Sequence, residues 1–243
     1  PAIAVSEDYA QRVTDDIGVP RDHLVAIPPG VPTSTTITRD AAPAVLAKHL
    51  RHYDPSRPIV AYLGRQDAEK GIDLLLYAVA QLQRAGRDVQ LGICGPTLFG
   101  DRYAKVLRQI ARDLRLNVCW STHLADEGRD ALMAAATCVV YPSIHREPFG
   151  MVPVEAAAYG TPSLVPDYGG VAEAIRAGEQ GCGLHFKAFD SGDLARQLAR
   201  LLDDPTLWQQ LSHAGPTVAA HYSVQRLADR VLAHVGLGEG AGT

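Results

Sequence analysis

Residues 141–175 read YPSIHREPFGMVPVEAAAYGTPSLVPDYGGVAEAI, and this stretch decides the fold. The apolar residues that end at Tyr141 and those around Leu164 predict two strands. Between them, residues 151–159 predict a helix, which Gly160 ends. A helix that connects two short apolar strands is typical of a parallel sheet. The stretch therefore predicts a strand–helix–strand unit.

The same alternation of strands and helices continues on both sides of this stretch. Runs such as PIVAYL (58–63) predict strands that are buried on both faces, and apolar residues at helical spacing predict the helices between them. We expect strands over 2–5, 23–28, 58–63, 89–94, 117–120, 138–141, 163–165 and 183–186. We expect helices over 7–17, 43–52, 72–84, 101–114, 127–135, 151–159, 171–177, 193–202, 205–213 and 224–235, and a disordered tail over 236–243. This pattern predicts an α/β fold with a doubly wound parallel sheet.

The composition of the chain restricts the class of protein. A hydrophobic content of 47% and a charged content of 21% are typical of globular domains. The net charge of -4 argues against nucleic acid as a partner. The longest apolar run, 131–141, is too short to cross a bilayer, so we expect no transmembrane segment. The chain opens on Pro1 and a strand without a leader, so we expect a fragment or a processed chain.

The cysteines and histidines do not follow the patterns of metal sites. Cys94, Cys119, Cys138 and Cys182 form no C-x-x-C, and three of them lie in apolar strand-like runs. We expect buried free thiols and a cytoplasmic location. The histidines show no H-x-x-x-H pair with a glutamate between them, so we expect no zinc site.

Ligands of such sheets bind outside the carboxyl ends of the strands. The loops after residues 63, 94, 120, 141 and 165 are therefore predicted to form the binding site. The first of these loops contains Gly64, Arg65, Lys70 and Gly71. A glycine allows a sharp turn after the strand, and an arginine and a lysine five residues apart can converge on one anion. The alternative is a charged loop that only contacts solvent.

The loop before the helix at 151 contains the second group of polar residues. If the helix begins near Gly150, the backbone N–H groups of Gly150, Met151 and Val152 are free to bind a phosphate. Glu155 then lies one turn further, where its two oxygens can accept from a ribose diol, and Glu147 faces the group attached to the phosphate. The alternative is two exposed glutamates. Together with Arg65 and Lys70, the pattern predicts a site for a nucleotide diphosphate.

Other nucleotide-binding motifs are absent from the sequence. There is no G-x-x-x-x-G-K-[ST] and no G-x-G-x-x-G after a strand, which excludes a P-loop protein and disfavours a dehydrogenase. There is also no D-x-D, so we expect a metal-free site without a cofactor. The paired glycines 169–170, followed by Glu173, allow either a close backbone approach to a ligand or a plain turn.

At these residues the chain resembles the retaining glycosyltransferases of family 4, which have the GT-B fold of two Rossmann-like domains. The similar segments are VSEDYAQRV (5–13), VAIPPGVP (25–32), VAYLGRQDAEKGIDLLLYAV (60–79), LGICGP (91–96), YPSIHREPFGMVPVEAAAYGTP (141–162) and the Gly-Gly-x-x-Glu at 169–173. The resemblance implies that the chain is the carboxyl-terminal, donor-binding half. It assigns 1–22 to the end of the amino-terminal acceptor domain, 23–221 to the nucleotide-sugar domain, and 222–243 to a crossover helix with a flexible tail.

The resemblance also implies a set of site residues for transfer of a hexose, with retention, from a UDP-, GDP- or ADP-linked sugar. Residues 121–124 would surround the base. The implied catalytic residues are Glu147, Arg65 and Lys70. The implied donor-binding residues are Gly64, Gly95, Thr122, His123, Leu124, Pro148, Phe149, Gly150, Met151, Val152 and Glu155. The acceptor site would lie in an absent amino-terminal domain, so we expect this chain to bind its donor weakly and to transfer nothing. That domain could also attach the enzyme peripherally to a membrane.

Other functions remain open on the sequence alone. The chain could be a non-catalytic binding subunit that needs a separate partner chain. It could also be a sugar-nucleotide epimerase or a phosphorylase on the same fold.

Overall fold

The computed structural model of the chain describes residues 1–98, 100–176 and 181–237. It confirms an α/β fold built on a six-stranded parallel sheet. The strands are β1 (Ala2–Ala4), β2 (Leu24–Ala26), β3 (Ile59–Leu63), β4 (Gln90–Cys94), β5 (Val118–Ser121), β6 (Cys138–Val140), β7 (Ser163–Pro166) and β8 (Gly183–Phe186). The helices are α1 (Glu7–Ile17), α2 (Ala42–His49), α3 (Ile72–Arg84), α4 (Arg102–Asp113), α5 (Asp126–Ala135), α6 (Met151–Ala158), α7 (Gly170–Ala174), α8 (Ser191–Asp203), α9 (Pro205–Ala220) and α10 (Val224–His234).

The order of strands in the large sheet is β5-β4-β3-β6-β7-β8. The chain runs outward from β3 through β4 to β5, then returns to the other side of β3 with β6. Val60 of β3 therefore lies between Leu91 of β4 and Cys138 of β6. A reversal of this kind leaves a crevice at the carboxyl ends of the central strands, where ligands of such sheets bind.

The core lies on both faces of the sheet, as the apolar run 58–63 predicts. Val60 and Tyr62 of β3 pack with α3 and α8 on one face, whereas Ile59, Ala61 and Leu63 pack with α2 and α5 on the other. All five residues of β3 are buried. Both faces of the central strand are therefore covered by helices, and the carboxyl-end loops remain accessible.

The four cysteines are free and buried, as expected. Burial raises the pKa of the Cys94, Cys138 and Cys182 thiols to about 12 and that of Cys119 to about 11. None of the helices that the structure describes is long and apolar enough to cross a membrane.

Helix α9 is longer than expected. The sequence predicts that it ends at His213, but it continues through Gly215 and Pro216 to Ala220. A side chain at Gly215 would lie 2.5 Å from the carbonyl oxygen of Ala157, so the glycine allows α9 to pack closely on α6. Helix α7 ends at Ala174, so the predicted continuation of this helix to Ala177 is wrong. Most of the predicted disordered tail, 238–243, lies outside the described residues.

Residues 1–26 form a small layer beside the large sheet. Strand β1 pairs in parallel with β2, and the side chain of Ser6 caps α1 by accepting from the N–H of Tyr9. The Glu173 carboxylate accepts hydrogen bonds from the N–H groups of Glu7 and Asp8, at 3.0 and 2.5 Å. Helix α1 is thus joined to α7, the helix between β7 and β8 of the large sheet. The domain boundaries after residues 22 and 221 stay predictions.

Candidate functional site

Two glycines bring the loops after β3 and β4 together. Gly64 and Gly95 have φ angles of 150° and 144°, which residues with a Cβ rarely adopt. The N–H of Gly64 donates to the carbonyl oxygen of Cys94 at 3.0 Å. A Cβ on Gly95 would overlap the carbonyl oxygen of Gly64. The two backbones are therefore in contact where the strands end.

A pocket of about 290 Å³ lies beside this contact. Of the predicted donor-binding and catalytic residues, it brings together Gly64, Arg65, Gly95, Thr122, His123, Leu124, Val152 and Glu155. The remaining lining residues are Leu63, Cys94, Pro96, Arg129 and Met133, which the sequence does not single out. Thus residues from four segments far apart in sequence line one cavity at the reversal of the sheet.

Arg65 lies at this pocket between two carboxylates. Its guanidinium donates to Asp67 at 2.7 Å and to Glu69 at 2.5 Å. Burial works against its charge, but the charges and hydrogen bonds of Glu69 and Asp67 outweigh burial and raise the pKa of Arg65. The guanidinium is therefore charged, and two carboxylates hold it in the lining of the pocket.

Lys70 and Glu147 form a buried ion pair outside this pocket. The Lys70 Nζ lies 2.6 Å from the Glu147 Oε1, and the side chains are 11% and 10% exposed. The hydroxyl of Ser143 also donates to Glu147, at 2.7 Å. Burial, together with the negative charge of Glu147, raises the pKa of Tyr141, whose ring lies 5.9 Å from the Lys70 Nζ. The loops after β3 and β6 thus meet at this pair, as their places in the sheet predict.

Helix α6 begins at Met151 after Gly150, as the sequence predicts. No side chain caps this end, and the first-turn N–H groups of a helix have no acceptor within it. Pro153 lies in the first turn, where its missing N–H costs little. The helix start can therefore accept an anion.

The two residues before Gly150 contact other parts of the chain. The aromatic ring of Phe149 packs edge-on against Tyr222, with 5.3 Å between ring centroids. The carbonyl oxygen of Pro148 accepts from the hydroxyl of Ser6 at 2.7 Å. The structure therefore places both residues beside the start of α6 but outside the lining of the pocket.

Glu155 of α6 is buried in the wall of the pocket. Burial raises the pKa of its carboxyl group; the positive charge of Arg129 acts against this shift, and the negative charge of Asp130 adds to it. The Arg129 Nη1 lies 3.6 Å from the Glu155 Oε2. Glu155 is therefore a carboxylate that a hydrogen-bond donor in the pocket would stabilise.

Gln66 is a further buried polar residue that the sequence analysis missed. Its side-chain amide donates to the carbonyl oxygen of Gly95 at 2.7 Å, and its backbone N–H donates to Pro96 at 2.8 Å. Gln66 thus fixes the loop after β4 against the loop after β3. Its only sequence signal is a place in the loop between Arg65 and Lys70.

The paired glycines 169–170 approach another loop of the chain. The N–H of Gly170 donates to the carbonyl oxygen of Glu147 at 2.9 Å, and a Cβ there would overlap the Pro148 carbonyl. These glycines therefore support the loop that carries Glu147.

Among residues 1–98, 100–176 and 181–237, no cluster of three or more histidine, cysteine, aspartate or glutamate side chains could hold a metal ion. Transfer without a metal stays a prediction.

Known proteins resemble both the sequence and the fold. The family described as "Glycosyl transferases group 1" matches residues 51–218. D-inositol 3-phosphate glycosyltransferase of Nocardia farcinica is 31% identical over 235 residues, which cover 95% of this chain and 51% of that protein. The chain spans about half the length of the curated relatives it matches.

Solved structures of glycosyltransferases share the fold. Sucrose-phosphate synthase from Thermosynechococcus elongatus superposes with a TM-score of 0.82 at 25% identity, over 96% of this chain and 57% of that chain. HepE of Anabaena, in complex with UDP and glucose, superposes with a TM-score of 0.78 at 22% identity, over 96% of this chain and 62% of that chain. The fold is one Rossmann-like half of GT-B. Since the family matches more than half of the residues of this chain, the chain belongs to the group 1 glycosyl transferases.

Proposed function

We propose that this chain is the donor-binding half of a retaining glycosyltransferase, which transfers a hexose from a nucleotide-diphosphate sugar to an acceptor hydroxyl without a metal. One observation carries the proposal. The pocket lined by Glu155, Arg65 and the loop 122–124 lies at the reversal of the sheet, and Glu69 links its Arg65 to the buried Lys70–Glu147 pair, at 2.5 Å from Arg65 and 3.8 Å from the Lys70 Nζ. HepE, which shares this fold, was solved with UDP and glucose.

The parts of the donor would occupy different parts of this site. The nucleoside enters the pocket, where Thr122, His123 and Leu124 surround the base and Glu155 accepts from the ribose hydroxyls. The diphosphate lies along Gly64 and Gly95, where it receives hydrogen bonds from the N–H groups of residues 150–152. The sugar lies towards Glu147.

Stabilisation of the departing diphosphate would be the main catalytic contribution. Negative charge develops on it as the bond to the sugar breaks, and donors fixed beforehand at that position lower the barrier. Arg65 and Lys70 would supply the cations. Glu69 pairs with Arg65 and Glu147 pairs with Lys70, so a diphosphate would have to compete with these carboxylates for the two cations. The acceptor hydroxyl would attack on the face from which the diphosphate leaves.

The acceptor would bind a part of the enzyme outside this chain. The chain covers about half of its curated relatives, and we propose that the missing part carries the acceptor site. A cytoplasmic location, with membrane contact through that part, belongs to the same proposal. An epimerase is disfavoured, because the family and the relatives cited above are glycosyltransferases. A non-catalytic subunit that works with a separate partner chain is the alternative.

Calorimetric titration of this chain with UDP, GDP and ADP tests the proposal. We expect one of the three nucleotides to bind most tightly and the other two to bind more weakly, and we expect Lys70→Ala and Glu155→Ala to remove most of that affinity. Lys105→Ala is the control, because Lys105 is 73% exposed on α4 and pairs only with Asp101 in the described contacts. Unchanged binding by both site variants would refute the assignment of the site. Robust sugar transfer by this chain alone would refute the assignment as a donor-binding half, and inactivity of a complex with an amino-terminal half would favour the non-catalytic subunit.

A further inference from the structure

Arg129 lines the candidate pocket from a helix to which the sequence assigns no role. It lies in α5, one turn before Met133, and both side chains face the cavity. Glu155 of α6 and the loop 122–124 line the same cavity, whereas Lys70 and Glu147 do not. Arg129 is therefore at the end of the site that the proposed function gives to the nucleoside.

The guanidinium of Arg129 has hydrogen-bonding capacity that the protein does not use. Its Nε atom is buried and has no hydrogen-bond partner among the described residues. The two terminal nitrogens are also too far from their carboxylates for a normal N–H···O bond: Nη1 lies 3.6 Å from the Glu155 Oε2, and Nη2 lies 3.6 Å from the Asp130 Oδ1.

The carboxylate of Asp130 has another partner. Its Oδ2 accepts from the hydroxyl of Thr36 at 2.6 Å, which fixes the group on the side of α5 that faces residues 33–41. The attraction between Arg129 and the two carboxylates therefore holds the guanidinium in place without satisfying its donors. A buried donor without a partner has a free-energy cost, which a ligand with an acceptor atom can remove.

The chemistry of the cavity restricts that ligand. A guanidinium carries five N–H donors and no acceptor, so it binds oxygens rather than hydroxyl or amide hydrogens. Leu124, Met133 and Val152 make the walls around it apolar, and hydrogen bonds are stronger in such surroundings.

We propose that Arg129 donates hydrogen bonds to an oxygen of the donor's nucleoside and thereby selects the nucleotide. The oxygen is either a carbonyl of the base or a ribose hydroxyl. This inference rests on the proposed function, because it takes the nucleotide sugar as the ligand.

The test compares binding of UDP, ADP and inorganic pyrophosphate by calorimetry. For Arg129→Gln, we expect UDP to bind at least about tenfold more weakly, since a hydrogen bond from a charged donor is lost. Pyrophosphate should bind as it does to the unaltered chain, because its partners lie at the other end of the site. Arg129→Lys keeps the charge but not the planar fork, so its affinity for UDP should be intermediate. Arg112→Gln, at an exposed arginine of α4, is the matched control.

Each outcome has a defined meaning. If Arg129→Gln loses more affinity for UDP than for ADP, the acceptor of Arg129 is the base carbonyl. If it loses affinity equally for both, the acceptor is a ribose hydroxyl. Unchanged UDP affinity, or equal losses for UDP and pyrophosphate, would overturn the inference while the proposed function stands. If the unaltered chain binds no nucleotide, the proposed function itself fails. Should Arg129→Gln not fold by circular dichroism, Arg129→Lys and Arg129→Met carry the same comparison.

Discussion

The Lys70–Glu147 pair is the most deeply buried ion pair of the candidate site. Each of the two side chains is about nine-tenths buried. Removal of one partner leaves the other charge without compensation, which costs far more than replacement of both. We expect Lys70→Met to lower the free energy of unfolding by about 3 kcal/mol. The double variant Lys70→Met/Glu147→Gln should regain most of that loss in urea denaturation.

The control for these variants of the buried pair is the exposed pair of Lys105 and Asp101. Its side chains are 73% and 65% exposed, so Lys105→Met should leave the denaturation midpoint unchanged. A single variant of Lys70 that is as stable as the unaltered chain would contradict the role of the buried pair.

Glu155 makes stability depend on pH. Because burial raises its pKa in the folded protein above the ordinary value of 4.5, the folded state binds its proton more tightly than the unfolded state. The stability from this group is present below pH 4.5 and is lost as the pH rises through the raised pKa. We expect Glu155→Gln to be more stable than the unaltered chain at about pH 8 and equally stable at about pH 4. Urea denaturation at both pH values measures this, and a constant difference would contradict it.

At the scale of elements, the contact of the loops after β3 and β4 depends on Gly95. A methyl group there would overlap the carbonyl oxygen of Gly64, and the φ angle of 144° is strained for alanine. We expect Gly95→Ala to cost about 3 kcal/mol and to weaken nucleotide binding.

The variant Gly86→Ala separates the cost of backbone strain from the cost of steric overlap in Gly95→Ala. Gly86 has a φ angle of 79°, but no atom lies within 4 Å of a Cβ built there. Its substitution should therefore cost only the backbone strain, about 1 kcal/mol. Equal losses in thermal denaturation would show that the close approach at Gly95 has no cost of its own.

Sequence patterns predicted the elements better than they predicted the pocket. The helix 72–84 was confirmed in both bounds, because its apolar spacing and Gly71 are local signals. The extension of α9 depends on the approach of Gly215 to Ala157, and no local pattern contains that contact. Residues in strand-end loops could be placed at one edge of the sheet. Arg129 could not, since the apolar spacing of α5 does not show which of its polar residues borders a cavity.

At the scale of the whole molecule, Glu173 of α7 joins residues 1–26 to the part of the chain that contains the large sheet. Its carboxylate accepts from two N–H groups in the first turn of α1, where negative charge is favourable. Glu173→Gln removes the charge and one acceptor oxygen. We expect amide hydrogens of α1 to exchange about tenfold faster, with those of β3 and β4 unchanged.

Glu7→Gln is the matched control for this variant. Glu7 is exposed and pairs with Arg21 inside the same small layer, so its loss should not affect the joint with the sheet. If α1 exchanges equally fast in both variants, Glu173 is not what holds the layer.

Alkylation of the buried cysteine thiols can measure local opening of the structure. Since burial suppresses the thiolates, iodoacetamide can alkylate them only when the surrounding structure opens. Cys94 lines the pocket, whereas Cys182 does not line it and packs with residues of α9. We expect a saturating nucleotide to slow alkylation of Cys94 more than that of Cys182, which mass spectrometry of digested protein would measure. Equal protection of both cysteines would mean that the ligand stabilises the whole domain. The native thiols therefore distinguish local from global stabilisation by a ligand.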